Sequence, residues 1–274
     1  MEMKRYRIGE YAKYMGVTPD LLKHYEELGV ITSQRSESGY RYYSFPTSMF
    51  LLECIRLRNY GLTLREIKSI LADHSMDSPA MEQRLARNMD LLREENRFNQ
   101  ALIADYEEFQ EWKEPLLEKD CDWSIRRSRP MYFLPHTNTY DFLDDPRIYD
   151  ILRHWMSHIP IVKSAMRIRE DHTVTWGLIV EQQKLSYLGL PVNDVVLSIP
   201  SHKVFYYQFR GPLTATSDEH FSSEVHPALK QIHAMGLEAR EPFYRVTLMP
   251  SDWQKDLSCQ YGYYAIPLAE GSVK

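Results

Sequence analysis

Residues 8–29 read IGEYAKYMGVTPDLLKHYEELG, and this stretch decides how the first part of the chain folds. Apolar side chains recur every three or four positions on both sides of a Gly-Val-Thr turn, as on the buried faces of two short helices. Gly16 is the residue type preferred just past a helix end, and Thr18 followed by Pro19 is a typical helix start. The stretch therefore predicts a helix-turn-helix.

The residues that follow predict a β-hairpin and two further helices. Residues 30–43 place strand-forming residues on either side of a Ser/Gly turn, which predicts a hairpin, or wing. A third helix is predicted over about 47–59 and a fourth over 63–73. The fourth begins at a capping box formed by Thr63 and Glu66.

Five short motifs follow one another over about residues 5–73. They are Tyr6-x-Ile8-Gly9-Glu10, Gly16-Val17-Thr18, Tyr25-Glu26-x-x-Gly29, Gly39-Tyr40-Arg41-x-Tyr43 and Leu57-Arg58-x-x-Gly61-Leu62-Thr63-Leu64-x-Glu66-Ile67. This segment resembles the winged-helix domain of the MerR family of transcription regulators. The resemblance implies that residues 1–75 are a domain that binds double-stranded promoter DNA.

Carried over position by position, the resemblance implies nine side chains at the DNA. They are Arg7, Thr18, Lys23, His24, Tyr25, Arg35, Tyr40, Arg41 and Tyr42. Lys and Arg neutralise phosphates, and Tyr and Thr hydroxyls fix the register. The usual Leu-Arg-Tyr-Tyr of the family is here Leu22-Lys23-His24-Tyr25, so a lysine replaces the two-pronged guanidinium of arginine. The alternative is that tyrosines such as Tyr43 pack in the core and the charges form a solvated face.

Residues 76–120 are interpreted as a dimerisation helix and linker. After Pro79 the chain has neither Gly nor Pro until Pro115. Apolar residues at heptad spacing, interrupted by Asn96 and Asn99, are Met81, Leu85, Met89, Leu92, Ile103 and Tyr106. Such a seam indicates a partner helix, and in the MerR family this segment is an antiparallel coiled coil. We therefore expect a homodimer on a pseudo-palindromic operator; the alternative is an amphipathic helix packed on its own domain.

Residues 121–274 show a β-α-β-β pattern that occurs twice. The first set is a strand near Ile125–Leu134, a helix near 148–159 and strands near 166–169 and 174–181. The second set is a strand over 203–209, a helix over 221–235 and strands over 243–248 and 261–268. The repeat predicts an antiparallel sheet with helices on one face and a cleft between the halves. The whole chain is therefore expected to be of the α+β class.

The second half of this region resembles a GyrI-like small-molecule-binding domain. The resemblance rests on Ser201-x-Lys203-Val204-Phe205-Tyr206-Tyr207-x-Phe209-x-Gly211-Pro212 and on Tyr264-Ala265-Ile266-Pro267-Leu268. It implies a lipophilic, often cationic, effector, and aromatic faces suit planar or cationic guests. The candidate ligand residues are Tyr132, Tyr149, Trp155, Trp176, Glu181, Tyr187, Tyr206, Tyr244 and Tyr263.

The position of Tyr263 leaves the charge of the ligand open. Relatives that bind cations often hold a buried glutamate four residues before the final Pro, and this chain has Tyr263 there. Glu181 or Glu170 is an alternative acid for a cationic ligand. An unpaired buried carboxylate is a strong trap for a cation. Because position 263 has a tyrosine instead, neutral and anionic ligands remain alternatives.

The expected function is that of a ligand-responsive transcription regulator. The family resemblance implies an activator that distorts promoter DNA when its effector is bound, so that RNA polymerase can engage the promoter. The alternatives are a regulator that senses a neutral or anionic ligand and a ligand-independent architectural repressor.

The composition argues against enzymes, metal sensors and membrane proteins. The chain has no Gly-x-Ser-x-Gly elbow and no phosphate-binding glycine loop, so no catalytic residue is expected. Its three widely spaced cysteines are too few for an iron–sulfur cluster, and neither a metal nor a cofactor is expected. The charged N-terminus and the absence of a long apolar run predict a cytoplasmic protein without a membrane partner.

Overall fold

The computed structural model describes residues 3–73, 79–138, 141–169, 173–211, 227–250 and 260–269. These residues form two compact units, Met1–Glu95 and Asn96–Lys274. The first unit is a small winged helix and the second contains a large antiparallel sheet, which is the α+β class that the sequence predicts. Within these ranges no helix is both long enough and apolar enough to cross a bilayer.

The N-terminal unit has the predicted helix-turn-helix and wing. Its elements are β1 (Arg5–Arg7), α1 (Ile8–Met15), α2 (Pro19–Glu27), β2 (Gln34–Arg35), β3 (Arg41–Ser44), α3 (Phe45–Asn59) and α4 (Leu64–Asp73). Gly16 ends α1 with a positive φ of 66°, and Thr18 Oγ1 accepts a hydrogen bond from the backbone N–H of Leu21. The three strands pair antiparallel in the order β1-β3-β2. Strand β1 was not predicted, and α3 begins two residues earlier than expected.

The core of this unit forms where the apolar faces of the helices meet the hairpin. Leu22 on α2, Leu51 on α3 and Ile67 on α4 are fully buried. The rings of Tyr11 and Tyr43 stack with their centroids 5.0 Å apart, which fixes the hairpin against α1. Tyr43 is therefore a packing residue, as the alternative interpretation of the wing tyrosines holds.

The long helix predicted after Pro79 is confirmed. Helix α5 spans Pro79–Lys113 and is followed by a 3-10 turn, Glu114–Leu117. Met81 is buried in the core of the N-terminal unit and Leu85 packs against it. Large apolar side chains that remain exposed farther along α5 are Leu91, Leu92, Ile103 and Tyr106. The first positions of the predicted seam therefore pack within their own unit, whereas the later ones are uncovered.

The C-terminal unit contains an eight-stranded antiparallel sheet. Its elements are β4 (Cys121–Arg127), β5 (Met131–Pro135), β6 (Thr137–Asn138), β7 (Asp141–Phe142), α6 (Pro146–Met156), β8 (Lys163–Ile168), β9 (Val174–Glu181), α7 (Gln182–Leu188), β10 (Leu197–Ile199), β11 (Lys203–Gly211), α8 (227–234), β12 (Phe243–Pro250) and β13 (Gln260–Pro267). The strand order is β10-β5-β9-β8-β12-β13-β11-β4.

The sheet is built from two repeats that exchange a strand. Each repeat is β-β-α-β-β rather than the predicted β-α-β-β, and its first strand pairs in the half of the sheet formed by the other repeat. Thus β4 pairs with β11, and β10 pairs with β5. The prediction of a single strand near Ile125–Leu134 is wrong. It is two strands, β4 and β5, because Pro130 between them lacks the N–H that a continuous central strand needs.

The two faces of the sheet are covered by different parts of the unit. Side chains from α6, α7 and α8, such as Trp155, Leu185 and Ile232, pack in the clusters on one face. The opposite face carries a separate cluster that includes Phe133 and Tyr244. The C-terminal part of α5 lies over this second face, which leaves a cavity beneath it.

Candidate functional site

The wing and α2 are joined at the carboxylate of Glu26. Its Oε1 accepts a hydrogen bond from Ser33 Oγ at 2.7 Å, and Arg35 Nη2 lies 3.7 Å away. Its Oε2 accepts from Arg41 Nε at 2.8 Å and from the Tyr43 hydroxyl at 3.1 Å. Burial alone would raise the pKa of Glu26, but these hydrogen bonds hold it below its ordinary value. Glu26 therefore stays charged and fixes the position of the wing on α2.

Most of the side chains expected at DNA reach the surface of the N-terminal unit. Exposed or half-buried ones are Arg7, Thr18, Lys23, His24, Arg35, Tyr40, Arg41 and Tyr42. Tyr25 is only 5% exposed and belongs to the core, because it follows Leu22 by three positions on the inward face of α2. The expected DNA contact of Tyr25 is therefore wrong, and its ring is a packing residue.

A second link joins β1 to the wing. The guanidinium of Arg7 lies over the ring of Tyr40, with 5.3 Å between its central carbon and the ring centroid. A hydrogen bond with Tyr42 raises the pKa of Arg7. Lys23 Nζ lies 2.9 Å from Asp20, but both side chains are exposed, so this ion pair holds the lysine only weakly. The cationic groups of β1, α2 and the wing are thus positioned by contacts that leave them exposed or half-buried.

The C-terminal unit contains a cavity of about 1150 Å³ between α5 and the face of the sheet opposite to α6, α7 and α8. Four of the nine predicted ligand residues line it: Glu181, Tyr206, Tyr244 and Tyr263. A pocket of this size would accept a drug-sized molecule.

The other five predicted ligand residues lie elsewhere, and their assignment is corrected. Tyr132 and Trp176 pack on the helix-covered face, because side chains alternate between the two faces of a strand. Trp155 packs there from α6. Tyr149 is exposed on α6, and Tyr187 is exposed on α7. Their hydroxyls donate to Leu143 O and Asp144 and to Gln100, respectively. Glu170, the other acid considered, lies outside the described residues.

Aromatic side chains from the sheet and from α5 form one wall of the cavity. The ring centroids of Tyr206 and Tyr263 are 4.6 Å apart, and Trp112 Nε1 donates to the Tyr206 hydroxyl at 2.8 Å. Phe109 stacks on Trp112 one helical turn away. The guanidinium carbon of Arg126 lies 3.4 Å from the centroid of Tyr206. Burial raises the pKa of Tyr206 to about 12 and that of Tyr263 well above its ordinary value.

A chain of alternating charges runs along the same cavity. In order of contact its members are Glu181, Arg129, Glu108, Lys184, Asp105 and Lys163, with N–O distances of 2.8, 2.7, 2.7, 2.8 and 2.9 Å. Burial lowers the pKa of Lys163 despite its contact with Asp105. Burial also opposes the charge of Lys184, but the two carboxylates at its ammonium raise its pKa. The three acids and three bases of this series balance in charge. Each of its three carboxylates therefore already contacts a basic group.

Two further arginines of the cavity have no such partner in the described part of the chain. Neither Arg126 nor Arg167 has a carboxylate within 4.0 Å there, and Arg167 Nε is buried without a hydrogen-bond partner. Glu241 Oε1 is likewise buried and unpartnered among these residues. Counted over the whole lining, eight residues are Lys or Arg and five are Asp or Glu.

Several of these residues were missed at the level of sequence. Asp105, Phe109 and Trp112 have helical spacing on α5, and this second periodic face could have been noticed beside the dimer seam. Arg126 and Lys184 carry no comparable signal, because their neighbours come from distant parts of the chain. Cys54 is buried on α3, which raises the pKa of its thiol to about 11. Within the described ranges, His, Cys, Asp and Glu form no cluster able to hold a metal.

The fold and these two sites define a winged helix-turn-helix protein with a separate cavity-bearing domain. Residues 6–74 match the family described as MerR HTH family regulatory protein. The HTH-type transcriptional regulator CueR of Bacillus subtilis is 31% identical over 111 residues, which are 39% of this chain and 73% of CueR. The chain belongs to the MerR family.

Other relatives match mainly the first part of the chain. The mercuric resistance operon regulatory protein of Bacillus cereus is 41% identical over 68 residues, 24% of this chain and 52% of that protein. The transcriptional regulator BrlR of Pseudomonas aeruginosa is 31% identical over 101 residues, 36% of this chain and 37% of that protein. The matched segments thus span between about a third and a half of these relatives. An EcmrR–DNA complex aligns over 96% of this chain and 99% of that chain, at 16% identity and a TM-score of 0.36.

Proposed function

We propose that this protein is a homodimeric, ligand-responsive transcription regulator. Residues 1–75 bind double-stranded promoter DNA, and the C-terminal cavity binds a lipophilic small molecule. The observation that carries the proposal is the aromatic cavity of about 1150 Å³ in a chain that also has a winged helix. A purely architectural DNA-binding protein would have no need of such a cavity.

The surface charges of the N-terminal unit support binding to DNA. Arg7, Lys23 and Arg35 are exposed or half-exposed on β1, α2 and the wing. Each can neutralise a phosphate, and this term supplies much of the affinity of such proteins for DNA. The net charge of −5 does not oppose the proposal, because association depends on the local distribution of charge.

Uncovered apolar stripes support the homodimer. Leu92, Ile103 and Tyr106 are exposed at heptad positions of α5. Phe45 and Met49 form a second exposed pair, four residues apart on α3. Exposed apolar groups of this extent are typical of interaction surfaces, and a second copy of α5 would cover the first stripe in an antiparallel coiled coil. A two-fold dimer would read a pseudo-palindromic operator.

Regulation would follow from a preference of the ligand for one shape of the bound DNA complex. The ligand-bound dimer would bend and untwist the promoter so that RNA polymerase engages both promoter elements, one on each side of the spacer. Bending a site of this kind costs several kcal/mol. The ligand must therefore bind the distorted complex more tightly by a comparable amount. A ligand-independent repressor is the competing function.

The DNA-binding part is tested by selecting sites from a random duplex library with the full-length protein. We expect enrichment of an interrupted inverted repeat, with affinity that falls linearly in the logarithm of salt concentration. Lys23→Gln should weaken binding, whereas Arg153→Gln, the same charge change on exposed α6, should not. Salt-independent binding, or enrichment of unrelated sequences, would exclude the proposed mode.

The regulatory part is tested by transcription in vitro from a promoter that contains the selected site. An aromatic ligand of the cavity should increase transcription by the full-length protein. Repression that is unchanged by any compound that binds the cavity would establish the competing function.

A further inference from the structure

The best aromatic face of the cavity is already occupied by a cation from the protein. Arg126 lies 3.4 Å from the centroid of Tyr206, and the other ring of the pair, Tyr263, packs 4.6 Å away. Such a cation–π contact is stabilising, and more so where the groups are desolvated. Because Arg126 is tethered beside the ring, a cationic guest would have to displace it and then share the cavity with its charge.

The carboxylate expected to hold a cationic guest is also engaged. Glu181 Oε2 lies 2.8 Å from Arg129, which in turn contacts Glu108 at 2.7 Å. If Glu181 turned to a guest, Arg129 would lose one of its two carboxylate partners, and separating partly buried ion pairs is costly. Among the lining acids of the described ranges, Glu241 alone has a buried carboxylate oxygen, Oε1, without a hydrogen-bond partner.

Basic groups for an anion, in contrast, are present without a carboxylate partner in the described part of the chain. Arg126 has no carboxylate within 4.0 Å in the described part of the chain, and the same is true of Arg167. Arg167 contacts the Tyr244 hydroxyl, but its Nε is buried with no acceptor among the described residues. A buried donor left without an acceptor is unfavourable, and a ligand oxygen would relieve this. The lining as a whole has three more basic than acidic residues.

Resting on the proposed function, we propose that the cavity selects an anionic aromatic ligand, a planar ring system that bears a carboxylate. The ring lies against the aromatic wall of Tyr263 and Trp112. The carboxylate accepts hydrogen bonds from the guanidinium of Arg126, and Arg167 adds positive charge to the lining from β8. A guanidinium binds a carboxylate through two parallel hydrogen bonds, which gives both strength and orientation.

The test uses three probes that share one ring system and differ in charge. Isothermal titration calorimetry of the full-length protein would compare anthracene-9-carboxylate, 9-anthracenemethanol and protonated 9-(aminomethyl)anthracene. We expect the carboxylate to bind about tenfold more tightly than the alcohol, and the ammonium compound to bind most weakly. Arg126→Gln should weaken the carboxylate about tenfold and leave the alcohol within about twofold.

Matched variants keep the result specific to the cavity. Arg153→Gln removes the same charge from the exposed surface of α6, outside the cavity lining, and should leave all three affinities unchanged. If Arg126→Gln does not fold, Arg126→Lys retains the charge but not the paired hydrogen bonds. It should reduce the preference for the carboxylate over the alcohol.

Each contrary outcome has a distinct meaning. Tightest binding of the ammonium probe, lost in Glu241→Gln, would overturn the anion assignment and leave the proposed function intact. Equal affinities, or a carboxylate affinity unaffected by Arg126→Gln, would overturn it as well. Binding of none of the probes would reject the cavity as a site for this class of compound, together with the inference. Failure to bind DNA would reject the regulator alone.

Discussion

Arg41 Nε lies 2.8 Å from Glu26 Oε2, so a close ion pair joins the wing to the second helix of the helix-turn-helix. The two side chains are 31% and 16% exposed, which protects the pair from solvent more than an ordinary surface contact. We therefore expect two roles for Arg41: its Nε holds the wing, and its other guanidinium nitrogens contact a phosphate. Glu26→Gln tests the structural role alone, and Arg35→Ala tests the loss of one phosphate contact alone.

Glu26→Gln should loosen the wing. The amide removes the charge that three wing donors share, and we expect about 1–3 kcal/mol of lost stability. Hydrogen–deuterium exchange in the full-length protein would measure the loss as faster exchange over residues 34–44. Glu27→Gln, at the exposed neighbouring position, is the control. Equal protection of the wing in both variants would contradict the prediction.

The same carboxylate makes the wing sensitive to acid. The pKa of Glu26 is lower in the folded protein, so its stabilising effect is present above the ordinary value of 4.5. The effect is lost as the pH falls through the folded pKa. Wild-type wing protection should therefore decrease on acidification below about pH 4, whereas Glu26→Gln should have no corresponding step.

Arg35→Ala should weaken DNA binding without weakening the fold. The side chain is 60% exposed and lies 3.7 Å from Glu26, so the contact contributes little to stability. Loss of one phosphate contact should reduce the slope of log affinity against log salt by about one. Arg41→Ala should reduce both the slope and the thermal stability. Fluorescence anisotropy over a salt series, with circular dichroism melting, distinguishes the two variants; an unchanged slope for Arg35→Ala would remove it from the interface.

Asp105→Asn should destabilise the C-terminal unit. Asp105 is 7% exposed on its side chain and contacts both Lys163 and Lys184. Removing its charge leaves two partly buried ammonium groups short of a partner, and we expect a loss of about 2–4 kcal/mol. Urea unfolding followed by tryptophan fluorescence reports this unit, because all five tryptophans lie in it. Asp194→Asn, in an exposed pair with Arg147, should change stability by less than about 0.5 kcal/mol.

This loss should shrink in alkali. Burial already lowers the pKa of Lys163, and without Asp105 the pKa should fall further. The penalty for burying its charge applies below the folded pKa and is relieved as the pH rises toward the ordinary value of 10.5. The difference between wild type and Asp105→Asn should therefore be smaller at about pH 9.5 than at neutral pH. A constant difference would indicate that Lys163 is not the group left without a partner.

Gly177→Ala should destabilise the sheet beneath the cavity. A Cβ atom there would collide with the carbonyl of Leu134 and stand 2.5 Å from the ring of Phe133. Overpacking of this kind costs about 1–3 kcal/mol. At Gly211 the nearest atom to an added Cβ is 3.9 Å away, on Phe209, so Gly211→Ala is the matched control. Equal unfolding midpoints for the two variants would contradict the prediction.

The N-terminal unit was largely predictable because its signals are local. Gly16, Thr18 and the capping box of Thr63 with Glu66 each act within a few residues of the chain. Tyr25 carries two signals: its helical spacing from Leu22 predicts burial, whereas the family motif implies a DNA contact, and the observed burial follows the spacing.

The cavity was less predictable because its residues meet across long sequence distances. Lys184 contacts Asp105, which is 79 positions away. Strand register also decided the aromatic candidates: Trp176 faces the helices, and its neighbour Gly177 lies on the other face of the sheet. An error of one position reverses such an assignment. The pairing of β4 with β11 has no local signal at all.

The exchange of first strands between the two repeats has a consequence for how this sheet assembles. Each repeat holds three strands of its own half and lacks the fourth, which only the other repeat provides. A single repeat on its own would find its missing strand only in another copy of itself. The unit thus has, within one polypeptide, the mutual dependence of a dimer. Neither repeat has a complete half-sheet until both have folded, so the two should form and unfold together.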